Sequence, residues 1–247
     1  MAVPRRLRKP PITEAIVDFR IVADAAITRE RLEPICVALR EQFPNIEEKR
    51  QFVAEFRVEN GRLIPPSSKD LGFQAVWLTS QDRRRIAQFR TDGCTLNQVA
   101  EYTGGDELIE SALALWTEYA AVIKPKAVTR LALRYLNQLN LPFRQGDEFE
   151  VFLVAPPELP EGAPQKVSDF LSRIVAHDDT GAHAIVTQKM QSGPMVPVPV
   201  VIDVDVFFDI EISPDVRELR PFLSLLRDLK NRCFFSLLTE EAVKLFQ

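Results

Sequence analysis

The segment VVIDVDVFFDIEI, residues 200–212, alternates strictly. Val200, Ile202, Val204, Val206, Phe208, Ile210 and Ile212 fall on one side. Asp203, Asp205, Phe207, Asp209 and Glu211 fall on the other. A period of two is the mark of a strand, because successive side chains leave opposite faces of the pleat. One dry face and one charged face imply an antiparallel sheet covered on one side only. A parallel sheet, packed on both faces, would be apolar at nearly every position. Residues 128–141, VTRLALRYLNQLNL, repeat the pattern. Thr129, Leu131, Leu133, Tyr135, Asn137, Leu139 and Leu141 share one face, and Arg130, Arg134 and Gln138 share the other.

The rest of the chain extends this reading. Residues 12–22 alternate with Ala15, Val17, Phe19 and Ile21 on the apolar side, predicting a further strand. Thr28 is placed to cap a helix whose apolar face is Leu32, Ile35, Cys36, Leu39 and Phe43. Pro34 inside that pattern predicts a main helix beginning near Glu33, and Pro44 ends it. Strands are expected at 52–58, 62–64, 73–79, 84–91 and 94–99. Asn60-Gly61 and Asp92-Gly93 serve as turns, and Pro65-Pro66-Ser67-Ser68 as an interruption. Gly104-Gly105-Asp106 opens a long helix with Leu108, Ile109, Ala112, Leu115, Trp116, Tyr119 and Ile123 inward, closed by Lys124 and Pro125. A short strand is expected at 149–154 and an amphipathic helix through Val167, Phe170, Leu171, Ile174 and Val175. Another strand is expected at 182–188. The proline-rich stretches 155–164 and 192–199 read as loops. Asp215 opens the last long helix, with Leu219, Phe222, Leu223, Leu226 and Leu229 inward, and Thr239 caps a final short one.

Strand, helix, several strands, helix: this order runs from 12 to 124 and recurs, shortened, from 128 to 233. The expected fold is α+β, two related halves of antiparallel strands with helices packed on one face, in one continuous sheet. The parts are a flexible basic arm at 1–11, a first half at 12–126 and a second at 127–247.

Composition narrows the chemistry. The 247 residues include 9 Gly, 2 His, 3 Cys and 18 Pro. Two histidines and three scattered cysteines do not build a zinc finger or an iron–sulfur site. No glycine-rich nucleotide fingerprint occurs. Cys36, Cys94 and Cys233 read as free thiols of a reducing compartment, so a cytoplasmic location is expected. No apolar run approaches the length of a membrane span, and the basic start is not followed by the apolar stretch of a signal peptide. The net charge is −4; Arg5, Arg6, Arg8 and Lys9 are four of the 31 basic residues, leaving 27 against 35 acids elsewhere. That balance disfavours a nucleic-acid partner, which requires a broad basic surface.

The candidate chemistry lies on the uncovered sheet faces. Arg130 and Arg134, four apart on one strand face, are candidates for binding a phosphate or carboxylate. Glu14, Asp203 and Asp205 are candidates for a divalent metal such as magnesium, or else for ion pairs with those arginines. Arg83, Arg84, Arg85 and Arg90 form a candidate basic patch at a hairpin, with Phe89 between them. His177 and His183 flank Asp178-Asp179-Thr180-Gly181, a plain turn composition. No catalytic constellation assembles from the sequence.

Four motifs, spread over nearly the whole chain, carry a resemblance. They are Pro10-Pro11-Ile12-x-Glu14-Ala15, Trp116-x-x-Tyr119, Arg130-x-x-x-Arg134-Tyr135-x-Asn137, and Leu229-Lys230-Asn231-x-x-Phe234-Phe235-x-x-Leu238-Thr239. The chain resembles a sporadically distributed family of prokaryotic proteins of about 250 residues with no established function. The resemblance implies a single family unit and an accessory role, as in defence or toxin–antitoxin systems, and no known activity, cofactor or catalytic residue. The expected function is binding to a protein partner, with a homodimer as one form of it. The alternative is a phosphate- or nucleotide-binding enzyme or sensor that uses the Arg/Asp-lined sheet face with a divalent metal.

Overall fold

The structure, a computed structural model, describes residues 7–59, 62–143, 148–165, 167–190 and 196–247. The strands are β1 (Ile12–Val22), β2 (Asn45–Glu59), β3 (Arg62–Thr79), β4 (Arg85–Arg90), β5 (Gly93–Val99), β6 (Ala127–Leu141), β7 (Leu171–His177), β8 (His183–Met190) and β9 (Val198–Phe208). They form one sheet in the order β2-β3-β4-β5-β1-β6-β9-β8-β7. Every pairing is antiparallel. The sheet is thus the antiparallel, one-sided kind that the alternation predicts. β1 and β6 lie side by side near its middle. Each is followed, strand by strand, by a return from an edge.

The helices are α1 (Arg29–Ala38), α2 (Gly105–Ile123), α3 (Val216–Ser236) and α4 (Glu240–Lys244). α1 to α3 cover the apolar face. Ala15, Val17 and Phe19 of β1, Leu131, Leu133 and Tyr135 of β6 and Val204, Val206 and Phe208 of β9 are buried beneath them. Trp116 stacks on Phe19 with ring centroids 4.8 Å apart, and Tyr119 stacks on Phe89 at 5.9 Å. The indole N–H of Trp116 donates to Pro214 O at 2.9 Å, which ties α2 to the entry of α3. Phe208 meets Phe222 of α3 edge-on at 5.0 Å. Thr28, Asp215 and Thr239 each accept a backbone N–H at a helix start, as their positions predict.

Several local expectations are corrected. α1 begins at Arg29, four residues before Glu33, because Pro34 is accommodated inside the helix. Residues 62–79 form one long strand rather than two, and a register shift near Glu55 and Arg57 accommodates the prolines opposite. Phe149–Val151 is a 3-10 turn, not a strand. Leu171–His177 is the edge strand β7, not a helix: β8 offers it a hydrogen-bonding partner that a short apolar run cannot advertise. β9 ends at Phe208, and Ile212 makes only an isolated bridge with Val128. The Asn60-Gly61 turn lies outside the described residues. Leu7 packs against the core, and Lys9 N–H donates to Phe246 O at 3.0 Å.

At Gly93 β5 comes close to β1. The φ of Gly93 is +152°, and a Cβ there would lie 1.8 Å from Phe19 O. Only a residue without a side chain lets β5 approach β1 so closely.

No helix of the described residues is long and apolar enough to cross a membrane.

Candidate functional site

On the open face the sheet register assembles a chain of charges. In register, Asp18 lies opposite Thr95 of β5 and Ala132 of β6, and Arg134 lies opposite Asp205 of β9. The guanidinium groups reach diagonally. Arg130 donates to Asp205 Oδ2 at 2.9 Å and to Asp18 Oδ2 at 3.3 Å. Its guanidinium also sits 4.4 Å over the Phe207 ring. Arg134 donates twice to Asp203, at 2.9 and 2.6 Å. Arg90 pairs with Asp18 at 2.8 Å and with Asp92 at 2.8 Å. Thr95 Oγ1 donates to Asp18 Oδ1 at 2.7 Å. Glu14 accepts from Asn97 Nδ2 at 2.6 Å, and Asn97 in turn accepts from Gln88.

The candidate anion ligands Arg130 and Arg134 therefore do meet the candidate metal ligands Asp203 and Asp205. Each arginine is already engaged by a carboxylate, an arrangement of charge-assisted bonds in fixed geometry. Burial pushes the Asp205 carboxyl up from its ordinary value. Arg130 and Arg134 pull it down, and burial prevails. For Arg134 the bond to Asp203 dominates, and its pKa is raised. Among the described residues, no group of three His, Cys, Asp or Glu side chains could hold a metal ion.

The four arginines of the candidate basic patch have different surroundings. Arg83 occupies the β3–β4 turn with a φ of +59°. Arg84 forms a two-pronged pair with Glu101. The Arg85 guanidinium lies 5.7 Å over the Phe43 ring. Arg90, at the far end of β4, belongs to the Asp18 network instead. Five steps along the strand separate Arg85 from Arg90, about 17 Å.

His177 and His183 face each other across β7 and β8, with Nδ1 atoms 2.7 Å apart. The loop between them is a turn in which Asp178 accepts from Thr180 and from Arg232. Cys36 and Cys94 are buried, and burial raises both thiol pKa values, which makes them poor nucleophiles.

A cleft of about 1450 Å³ opens elsewhere, between the start of α2, the C-terminal half of α3 and the chain before β1. Pro10, Pro11, Ile12, Asn137, Lys230, Asn231, Phe234 and Phe235 line it, so three of the four motif segments border the same space. Trp116 and Tyr119, the fourth, are core residues. At the back of the cleft Tyr102 and Tyr135 share a hydrogen bond between hydroxyls at 3.0 Å. Lys230 Nζ sits 4.0 Å over the Tyr135 ring. Burial, with Arg227 adding repulsion, pushes the Lys230 amine down to about 8. Desolvation raises both tyrosine pKa values, so their hydroxyls stay protonated. Sequence reasoning missed Lys230 and Tyr102. Lys230 does carry a signal: it lies four residues after Leu226 and four before Phe234, on the buried stripe of α3.

No protein-family model and no curated protein matches the chain.

Proposed function

We propose that this protein works by binding a protein partner, and that its first partner is a second copy of itself, joined along β7. The carrying observation is the free edge of the sheet. Among the described residues β7 is paired to β8 alone. Its Leu171, Ile174 and Val175 are 69%, 59% and 48% exposed. Long apolar edges are normally blunted by charge. The other edge carries such charge along part of its length: β2 has Glu47, Glu48, Lys49 and Arg50 ahead of the exposed Phe52 and Val53. On β7 the charge-bearing side chains are Arg173 and His177.

The ladder supports the same surface. Asp178 N–H donates to Ala182 O, and Met190 N–H donates to Phe170 O. By alternation, the backbone groups of Leu171, Arg173, Val175 and His177 point away from β8. An antiparallel strand is complementary to itself about a two-fold axis. An axis at Ile174 would use all four residues and bring the two Ile174 side chains together.

Sedimentation of wild type and Val175→Pro tests this. The proline removes an N–H that does not serve β8, so the sheet keeps its pairing. Wild type should be a dimer in the micromolar range and Val175→Pro a monomer with an unchanged far-ultraviolet spectrum. A monomeric wild type, or a dimeric proline variant, overturns self-pairing.

Each part starts at a central strand, goes to an edge strand, returns strand by strand and ends in a long helix, which supports two related halves, 12–126 and 127–247, although a 3-10 turn stands after β6 where α1 follows β1. Three free thiols support a reducing, cytoplasmic setting. A phosphate or nucleotide role for the open face, with magnesium on Glu14, Asp203 and Asp205, has weaker support. Those carboxylates already bind Asn97, Arg134 and Arg130.

A further inference from the structure

We propose that the cleft between α2 and α3 binds a small organic anion, a carboxylate or phosphate monoester on an apolar body, with Lys230 as its counter-charge. The site is independent of the β7 edge.

Lys230 is 8% exposed. Its neighbours on the inward stripe of α3 are Leu226 and Phe234. Among the described residues its ammonium has no hydrogen bond and no ion pair; its contact is the Tyr135 ring. Of the carboxylates that line the cleft, Asp106 pairs with Arg227, and Glu107 and Asp228 make no ion pair with Lys230. Buried charges are ordinarily paired, because an unpaired one loses its hydration without return. A cation left alone at the wall of a large cleft is charge held for a ligand.

Two further donor sets converge on it. α2 begins in the cleft lining, at Gly104 to Glu107. Its N-cap is Gly104, with no capping side chain. The first N–H groups of the helix therefore lack intrahelical acceptors and carry the positive end of the dipole. Gly105 lies against the tyrosine pair: a Cβ there would stand 3.0 Å from Tyr102 Oη and 3.8 Å from Tyr135 Oη. With Tyr135 donating to Tyr102, the Tyr102 hydroxyl proton is available to an acceptor in the cleft. The lining carries Arg8, Arg227, Lys230 and Arg232 against Asp106, Glu107 and Asp228, a formal surplus of one positive charge, suited to one oxyanion group. Leu7, Pro10, Pro11, Ile12, Phe234 and Phe235 supply the apolar walls. The volume exceeds the roughly 300–1,000 Å³ of pockets that take drug-sized ligands. The lowered amine pKa agrees: burial, with the Arg227 charge, penalises the charged form, and a bound anion would return the lost interaction.

The test is thermal unfolding of wild type and Lys230→Met with benzoate, phenyl phosphate, and sodium chloride at matched ionic strength. In wild type, benzoate or phenyl phosphate at a hundred times its Kd should raise Tm by roughly 5–10 °C. The stronger of the two identifies the anionic group. Lys230→Met should lose the shift. Absence of a shift with both probes, an equal shift with chloride, or the same shift in the variant overturns the proposal. Labelling of Lys230 in wild type by trinitrobenzenesulfonate, read by mass spectrometry, needs no variant. The effective probe at ten times its Kd should slow labelling roughly tenfold, and an unchanged rate overturns the proposal.

Discussion

Replacing Lys230 by methionine should stabilise the protein. The two side chains are similar in length, and methionine is at home against the Tyr135 ring. The amine pKa falls from 10.5 to about 8 on folding. That difference is a penalty on the charged form on the order of 3 kcal/mol at neutral pH. The group is almost wholly buried, so solvent screening takes little from it. Against it stands the lost attraction of the ammonium for the Tyr135 ring, about 1–2 kcal/mol. The net expectation is a gain of about 1–2 kcal/mol for Lys230→Met at pH 7. The sign with pH follows from proton binding. Between about 8 and 10.5 the unfolded wild type holds a proton that the folded protein has released. Wild-type stability therefore rises with pH across that window relative to the variant. The gap is greatest and flat below pH 8 and closes as pH approaches 10.5. Urea unfolding of both proteins across this range measures it. A variant less stable than wild type by more than about 1 kcal/mol at pH 7, or a gap indifferent to pH, would refute the reasoning: Lys230 would then have its charge satisfied inside the fold.

Asp18 holds Arg90, Thr95 and Arg130 together on the open face. Asp18→Ala should cost roughly 2–3 kcal/mol in urea unfolding, less than breaking a fully buried pair; a loss under about 0.5 kcal/mol would mark the network as screened by solvent. Gly93→Ala forces a Cβ against Phe19 O and should destabilise by more than about 2 kcal/mol, measured as a fall in Tm. Trp116→Phe keeps a ring on Phe19 but drops the bond to Pro214 O. It should cost about 1–2 kcal/mol by the same unfolding assay, with the fold retained.

Much of the sheet was readable in advance because alternation is local. Residues 12–22, 128–141 and 200–208 bury the sides their spacing assigns. Residues 167–175 misled for the same reason. Val167, Phe170, Leu171, Ile174 and Val175 fit a helical face, yet Leu171–His177 pairs with β8. A short apolar run supports either structure, and the available partner decides. The candidate site was half readable. Alternation put Arg130 and Arg134 on one face and Asp203 and Asp205 on another. It could not say that β6 and β9 are neighbours, or that Arg134 reaches past Asp205, its partner in register, to Asp203. Lys230 was overlooked because a lysine is ordinarily read as facing water. Its place on the stripe of Leu226 and Phe234 was the available signal.

By itself, then, the sequence determined an antiparallel sheet with one dry face, the helices that cover it, and the capping residues that start them. Each follows from side-chain spacing or a backbone preference within a few residues. Tertiary structure alone decided the order of strands, which edge was left open at β7, and which charges met partners. Those depend on pairings between residues far apart in the chain, as with Asp18 and Arg130 or Lys230 and Tyr135, whose register no local pattern contains.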